Sequence, residues 1–273
     1  MKTLFSVLAL VWFVCSALPI YAQTSPHKQT DTSEMGFSKA VLAAIASMPA
    51  GGGYATTKIA KDRCAAAIRD SSILEVSPKS AIPSFCSSAT YLVFCQTISK
   101  LEAQRVITLS AKARNALLIL DQADGDGIWG RWNANGPGTA KLFFDLHLGR
   151  NFTAIEDAIP GDFLKIWWSD AIGSKERGHS VIYLGTATSS AGNPAIRYWS
   201  SNKPLGYGEK TTELSKIKHF LFSRLEYPEH LNKVSDLPAK DPYLASMLKV
   251  EEHLDSMLRK LAVKQSATPN RKP

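Results

Sequence analysis

A cysteine within Ser84-Phe85-Cys86-Ser87-Ser88-Ala89 and a histidine within Gly178-His179-Ser180-Val181-Ile182-Tyr183-Leu184-Gly185 are the residues of this chain best suited to chemistry. Ser84 is a favoured helix N-cap, which places Cys86 at about the second position of the helix it opens. Backbone N–H groups there lack helical partners and the helix dipole is positive, so a thiolate is stabilised and its pKa falls. An imidazole beside the sulfur lowers the pKa further and can carry the proton to a leaving amine. The same N–H groups can hold the oxyanion of a tetrahedral intermediate. Ser87, Ser88 and Ala89 are small enough to let a substrate approach, and Pro83 fixes the entry of the chain. Taken singly, Cys86 also reads as a structural thiol and His179 as a strand-end histidine. The pair reads as the machinery that breaks or rearranges an acyl bond.

The elements that must position this pair change character along the chain. Phe37, Val41, Leu42, Ile45 and Met48 recur at helical spacing up to Pro49 and Gly51-Gly52-Gly53. Thr56 to Ile68 is a second amphipathic segment, the segment after Ser84 a third, and Val106 to Leu120 a fourth. Asp121 to Gly138 reads as a loop, and Thr139 to Leu148 as a short helix closed by Gly149. Beyond Gly161 the pattern becomes strand-like: Asp162–Ser169, His179–Gly185, Ala195–Ser201 and His219–Tyr227. Gly173-Ser174, Gly192-Asn193-Pro194 and Gly206-Tyr207-Gly208 read as turns between them, giving an antiparallel meander. Helices followed by strands predict an α+β domain over residues 36–235, with helices packed on one face of a small sheet. Asp241 to Leu261 reads as a final amphipathic helix within a C-terminal segment, residues 236–264.

Lys2, the apolar run Leu4 to Leu18 and Ile20-Tyr21-Ala22 have the layout of a secretory signal peptide cut after Ala22, and not of a membrane span. A lipid anchor on Cys15 is disfavoured by the bulky Trp12-Phe13-Val14 before it. Residues 23–35 read as a flexible leader and 265–273 as a frayed tail. The expected location is secreted or periplasmic. Formal net charge is +8, or +7 without Lys2, which suits a polyanionic neighbour such as a cell envelope. No helix-turn-helix, zinc-finger or RNP-like pattern points to nucleic acid.

The cysteine at a helix start, Pro160-Gly161-Asp162-Phe163 leading a strand, and the Gly178–Gly185 run together resemble the NlpC-type cell-wall peptidases and the related CHAP amidases. The resemblance covers about Tyr54 to Tyr227. It implies a papain-like fold and a cysteine hydrolase that cleaves amide bonds in peptidoglycan peptides, with Cys86 as nucleophile and His179 as base and then acid. It further implies a polar residue on the strand after the histidine's to orient the ring, Ser200 by position or Asn202 by chemistry, and a tyrosine before the nucleophile's helix, Tyr54, at the oxyanion site. Phe85 stands where the family usually has Asp, and the span from Cys86 to His179 is longer than usual. The same scaffold also supports a non-catalytic envelope-binding module, an acyltransferase or a peptidase for another peptide.

Three further features remain open in the sequence. Cys64, Cys86 and Cys95 are an odd number for an exported chain. Either Cys64 and Cys95 bridge and Cys86 is free, or all three are thiols. Trp129, Trp132, Asn133 and Asn135 either line a substrate groove beside Ser87 or staple a loop to the core. Asp124-Gly125-Asp126-Gly127 reads as a turn, since no glutamate closes a calcium loop at the required spacing. No metal-ligand cluster, phosphate loop or helically spaced carboxylate pair is present in the sequence, so no cofactor or metal is expected.

Overall fold

The computed structural model describes residues 36–263. In chain order these form α1 (Gly36–Ala46), β1 (Gly51–Gly52), α2 (Lys58–Ala66), β2 (Ile68–Asp70), β3 (Leu74–Val76), α3 (Cys86–Ala103), α4 (Ala111–Ala116), α5 (Gly127–Asn133), α6 (Gly138–Leu146), β4 (Gly149–Phe152), β5 (Phe163–Trp167), β6 (Ile172–Gly173), β7 (Gly178–Thr188), β8 (Pro194–Asn202), β9 (Gly206–Glu213), β10 (His219–Leu225), α7 (Pro242–Ser246), β11 (Glu251–Glu252) and α8 (Leu254–Lys260). Short 3-10 turns join several of them. The signal peptide, the leader and the tail expected from the sequence lie outside the described residues.

α3 is buried on nearly every side, from Ser87 through Cys95 and again at Thr97, Ile98 and Leu101. A helix can be buried all round only if its polar side chains find partners in it. Ser88 donates to the Phe85 carbonyl at 2.8 Å, Thr90 to that of Ser87 at 3.2 Å and Thr97 to that of Val93 at 2.8 Å. Phe94 then stacks with Trp132 at 4.9 Å and meets Phe163 edge-on at 6.0 Å, tying α3 to α5 and to the sheet.

The sheet has seven strands in the order β1-β9-β8-β7-β5-β10-β4, every neighbouring pair antiparallel. The fold is therefore a mixed one, helices packed against an antiparallel sheet, as expected. Simple meander order is not what forms. β10 inserts between β5 and β4, and Gly206–Gly208 opens a full strand instead of a turn. Alternation in Lys210–Glu213 is polar on both faces, which hid that strand.

Pro160-Gly161-Asp162-Phe163 earns its place structurally. Asp162 is fully buried and receives two hydrogen bonds from Arg224 of β10, each 2.8 Å, and one from the Ile159 N–H at 2.8 Å. Gly161 has φ +102°, and a Cβ there would stand 2.7 Å from the Ser38 carbonyl oxygen of α1. Only glycine lets α1 close over the entry to β5.

Four expectations about the elements are corrected. The Asp121–Gly138 loop contains α5. The fourth helix is confined to α4, capped by Ser110, because Val106 and Leu120 at the ends of the expected span face solvent. The single helix expected over Asp241–Leu261 is broken into α7, β11 and α8: Leu248 and Val250 are exposed, so the apolar stripe is not one face, and Glu251–Glu252 instead pair with β6. His147, not Gly149, ends α6 in the left-handed region, at φ +52°.

Arg224→Met leaves the Asp162 carboxylate buried without its cation. The expected cost is about 3–5 kcal/mol, read as a lowered urea midpoint, and the double variant with Asp162→Leu recovers part of it. An unchanged midpoint in Arg224→Met would show that the pair does not bear on stability.

Candidate active site

α3 begins one residue later than its sequence predicts. Ser84 is buried and donates its hydroxyl to Ser201 Oγ at 2.8 Å, leaving Phe85 as the cap residue. Ser88 closes the cap by accepting the Phe85 N–H at 3.0 Å. Cys86 is thus the first helical residue, with its backbone N–H among those without a helical acceptor. Phe85 packs its ring edge-on against Trp129 at 6.3 Å.

His179 enters from β7. Its Nε2 lies 3.1 Å from Asn202 Oδ1 on β8. Asn202 Nδ2 donates to the Gly208 carbonyl at 2.8 Å and to that of Ser200 at 3.3 Å. The amide oxygen is therefore turned to the ring, and Nε2 carries the hydrogen. Nδ1 is left for the thiol of Cys86, on which the His179 side chain and the Ser180 backbone N–H both act. Ser200, the other candidate for orienting the ring, does not touch it. Its hydroxyl donates to the Ser180 carbonyl at 2.7 Å and so steadies the peptide unit beside the sulfur.

Burial opposes ionisation of Cys86, but the His179 hydrogen bond and charge, the Ser180 N–H and the Lys165 ammonium outweigh it. The thiol is pulled down from 9.0 to about 6. Burial pushes the Cys64 thiol up to about 12, and burial followed by the nearby Cys64 charge pushes the Cys95 thiol well above its ordinary value. Among the described residues Cys64, Cys86 and Cys95 are all free, so the alternative with a Cys64–Cys95 bridge is not the one formed.

Tyr54 reaches the same sulfur. Its hydroxyl lies beside the Cys86 thiol and backbone N–H, and burial followed by the nearby sulfur charge raises its pKa. The tyrosine is carried there by a short parallel bridge to Ser84 and by its N–H to the Pro204 carbonyl at 3.1 Å. Gly206, at φ +90°, makes this close approach possible, since a Cβ would sit 2.4 Å from the Gly51 carbonyl oxygen.

Ser87 lines the open cleft beside Cys86 and donates to Asn133 Oδ1 at 2.6 Å. Asn133 and Asn135 share that wall, but Trp129 and Trp132 are only 6% and 2% exposed and belong to the core. Trp132 Nε1 donates to Thr90 Oγ1 at 3.2 Å. The two tryptophans therefore staple their segment and offer no platform. Lys165 and Glu176, 2.6 Å apart, form part of the cleft and were not singled out from the sequence. The available signal was a lone cation in the middle of Phe163–Trp167, a strand otherwise apolar. Asp124, within the expected turn, also lines the cleft. Among the described residues, no group of three or more His, Cys, Asp or Glu is placed to hold a metal ion, and no helix is long and apolar enough to cross a membrane.

No protein-family model, curated protein or solved structure matches this chain. What the site can do is therefore argued from its own geometry: a low-pKa sulfur, an oriented imidazole, and two donors converging beside the sulfur.

Iodoacetamide is expected to label Cys86 alone among the three thiols in the folded protein. Because the thiolate is the reactive form, the rate should climb as pH rises through about 6 and level off above it. Asn202→Ala should move that midpoint upward. A wild-type midpoint near the ordinary 9.0 would remove the activated thiolate.

Proposed function

We propose that the protein is a papain-like cysteine hydrolase that cleaves amide bonds in peptidoglycan peptides. The observation that carries the reading is the imidazole of His179, held at Nε2 by Asn202 at 3.1 Å and acting on the Cys86 thiol, whose pKa it lowers. Among the described residues, Cys64 and Cys95 have their pKa raised, and only that of Cys86 is lowered. The peptidoglycan part rests on the resemblance of the Cys86, Pro160–Phe163 and Gly178–Gly185 segments, on the signal-like N-terminus and on the basic surplus.

In the reaction, Cys86 Sγ attacks the amide carbonyl carbon and forms a C–S bond. The carbonyl oxygen takes up the negative charge and lies between the Cys86 N–H and the Tyr54 hydroxyl. His179 then gives its Nδ1 proton to the leaving nitrogen, the C–N bond breaks, and an acyl-thioester remains. Water enters, His179 takes its proton, and hydroxide adds to the thioester carbon. The C–S bond breaks, the acid departs, and the thiolate–imidazolium pair returns. Asn202 keeps the same face of the ring turned to the sulfur in both halves.

The same thioester could be captured by an amine, which would make the protein an acyltransferase. An envelope-binding module would need an accessible platform, and Trp129 and Trp132 are buried. Hydrolysis is therefore the reading supported best.

Residues 23–273 incubated with peptidoglycan should release fragments that have gained one water across an amide, identified by mass. Cys86→Ala should release none. Tyr54→Phe should lower kcat about 10²-fold through loss of one oxyanion donor. Asn202→Ala should lower it by roughly 10- to 100-fold while leaving the fold's melting temperature nearly unchanged. Equal release by wild type and Cys86→Ala would end the proposal.

A further inference from the structure

The cleft wall past Ser87 carries two asparagines whose amides are used differently. Asn135 Nδ2 is spent on the scaffold, donating to the Gly173 carbonyl at 3.0 Å. Asn133 instead accepts the Ser87 hydroxyl at Oδ1, 2.6 Å away. A hydroxyl has one hydrogen to give, so this bond decides which end of the amide faces α3 and which end is left over. The end left over is Nδ2. Among the described residues it has no acceptor, and it is not enclosed, since the side chain lines the open cleft that also holds Cys86. That cleft has a volume of about 530 Å³, room for more of a substrate than the amide being broken.

The backbone on both sides of this donor is pinned. Asn133 is the last residue of α5 and stands between Trp132 and Ala134, both buried. Trp132 is fixed by its stack on Phe94 at 4.9 Å and its bond to Thr90 at 3.2 Å. Arg131, completely buried, spans from the Gly127 carbonyl at 2.7 Å to the Pro238 carbonyl at 2.6 Å. α5 then closes on the start of α6, where a Cβ at Gly138 would stand 2.4 Å from the Arg131 carbonyl oxygen. An amide so held, one residue's reach from the nucleophile through Ser87, is organised before any ligand arrives. The direction of the substrate follows from the proton. The departing nitrogen takes it from His179, so the amine component extends on the imidazole's side and the acyl component on the other, past Ser87 toward Asn133.

We propose that Asn133 is a substrate-binding donor for the acyl component. Ser87 holds its amide so that Nδ2 hydrogen-bonds a second carbonyl oxygen of that component, the one preceding the residue under attack, and the site thereby favours peptidyl over simple acyl groups. The inference rests on the hydrolase reading for the direction of the substrate, and adds to it the residue that recognises one half.

Two uncharged amides sharing one amine test it. Their acyl components are equal in length; one keeps a ketone oxygen where the preceding peptide carbonyl stands, and the other has a methylene there. Wild type should favour the ketone by about fivefold in kcat/KM, the worth of one neutral hydrogen bond, and the difference should lie chiefly in KM. In Asn133→Ala the ratio should fall to one, and in Ser87→Ala, where the amide is free to turn, part of the way. Loss of a purely structural residue slows both amides alike and leaves their ratio at the wild-type value. An unmoved ratio in Asn133→Ala therefore overturns the donor, as does a wild type indifferent to the ketone. Calorimetric titration of Cys86→Ala with the two intact amides separates recognition from chemistry. Tighter binding of the ketone, lost when Asn133→Ala is added, upholds the donor even if the wild type cleaves neither amide, in which case the hydrolase reading falls alone. Equal binding of the two with cleavage intact removes the donor and leaves the hydrolase.

Discussion

A proton can pass between Cys86 and His179 only if the first residue of a helix and the second residue of a strand stay within one hydrogen bond of each other. Neither element can provide this alone. The sulfur is carried by α3, the most deeply buried helix of the fold, and the imidazole by β7, a central strand of the sheet. Packing of α3 against β7 and β8 sets their approach. Smaller contacts hold the register at the cleft itself: Ser84 to Ser201 at 2.8 Å, and the Tyr207 hydroxyl to the Ala81 carbonyl at 2.9 Å. Both link the segment just before Cys86 to the strands beyond His179. Buried polar contacts of this kind cost dearly when half satisfied, so they specify one arrangement more sharply than apolar packing does.

The same segment explains why the helix begins where it does. A side chain that bonds across to β8 cannot also cap its own helix. With Ser84 committed to Ser201, the cap passes to Phe85, and Ser88 satisfies the Phe85 N–H from inside the first turn. The shift places the Cys86 N–H at the open end of the helix, beside the Tyr54 hydroxyl. An apolar cap residue also buries well, and Phe85 uses the opportunity to pack on Trp129. Asp at that position would need a polar partner in a pocket lined by rings.

How much of this was legible in the sequence follows from what each signal depends on. Cys86 and His179 stood out because nucleophile chemistry needs a helix start and a polar strand end, and both are local patterns. The resemblance implied an orienting residue near Ser200, and alternation puts Asn202 on the same face of β8. Choosing between them required the cross-strand partners: Ser200 finds the Ser180 carbonyl, while Asn202 is braced by Gly208 on β9, a strand the polar alternation of its residues concealed. Trp129 and Trp132 were ambiguous because glycine and asparagine around them suggested a loop, whereas tertiary burial supports a short helix there. The broken C-terminal helix failed for a related reason. Apolar residues at helical spacing do not make a face when two of them, Leu248 and Val250, point to water.

Lys165 shows how the site reconciles a charged nucleophile with a largely buried setting. An ammonium in the middle of an apolar strand costs desolvation unless it is paired. Glu176 supplies the pair, and its second oxygen accepts from the Gly136 N–H at 2.6 Å, Trp167 Nε1 at 3.1 Å and the Gly173 N–H at 3.2 Å. Burial works to protonate that carboxylate, and Lys165 with these donors overcomes it, so Glu176 stays ionised. Its second oxygen is occupied by those three donors, and the Lys165 ammonium is among the groups that lower the Cys86 pKa. A neutral pair therefore acts on the thiolate as a net positive charge. Lys165 thus adds a scaffold charge to the larger contribution of His179 in stabilising the thiolate.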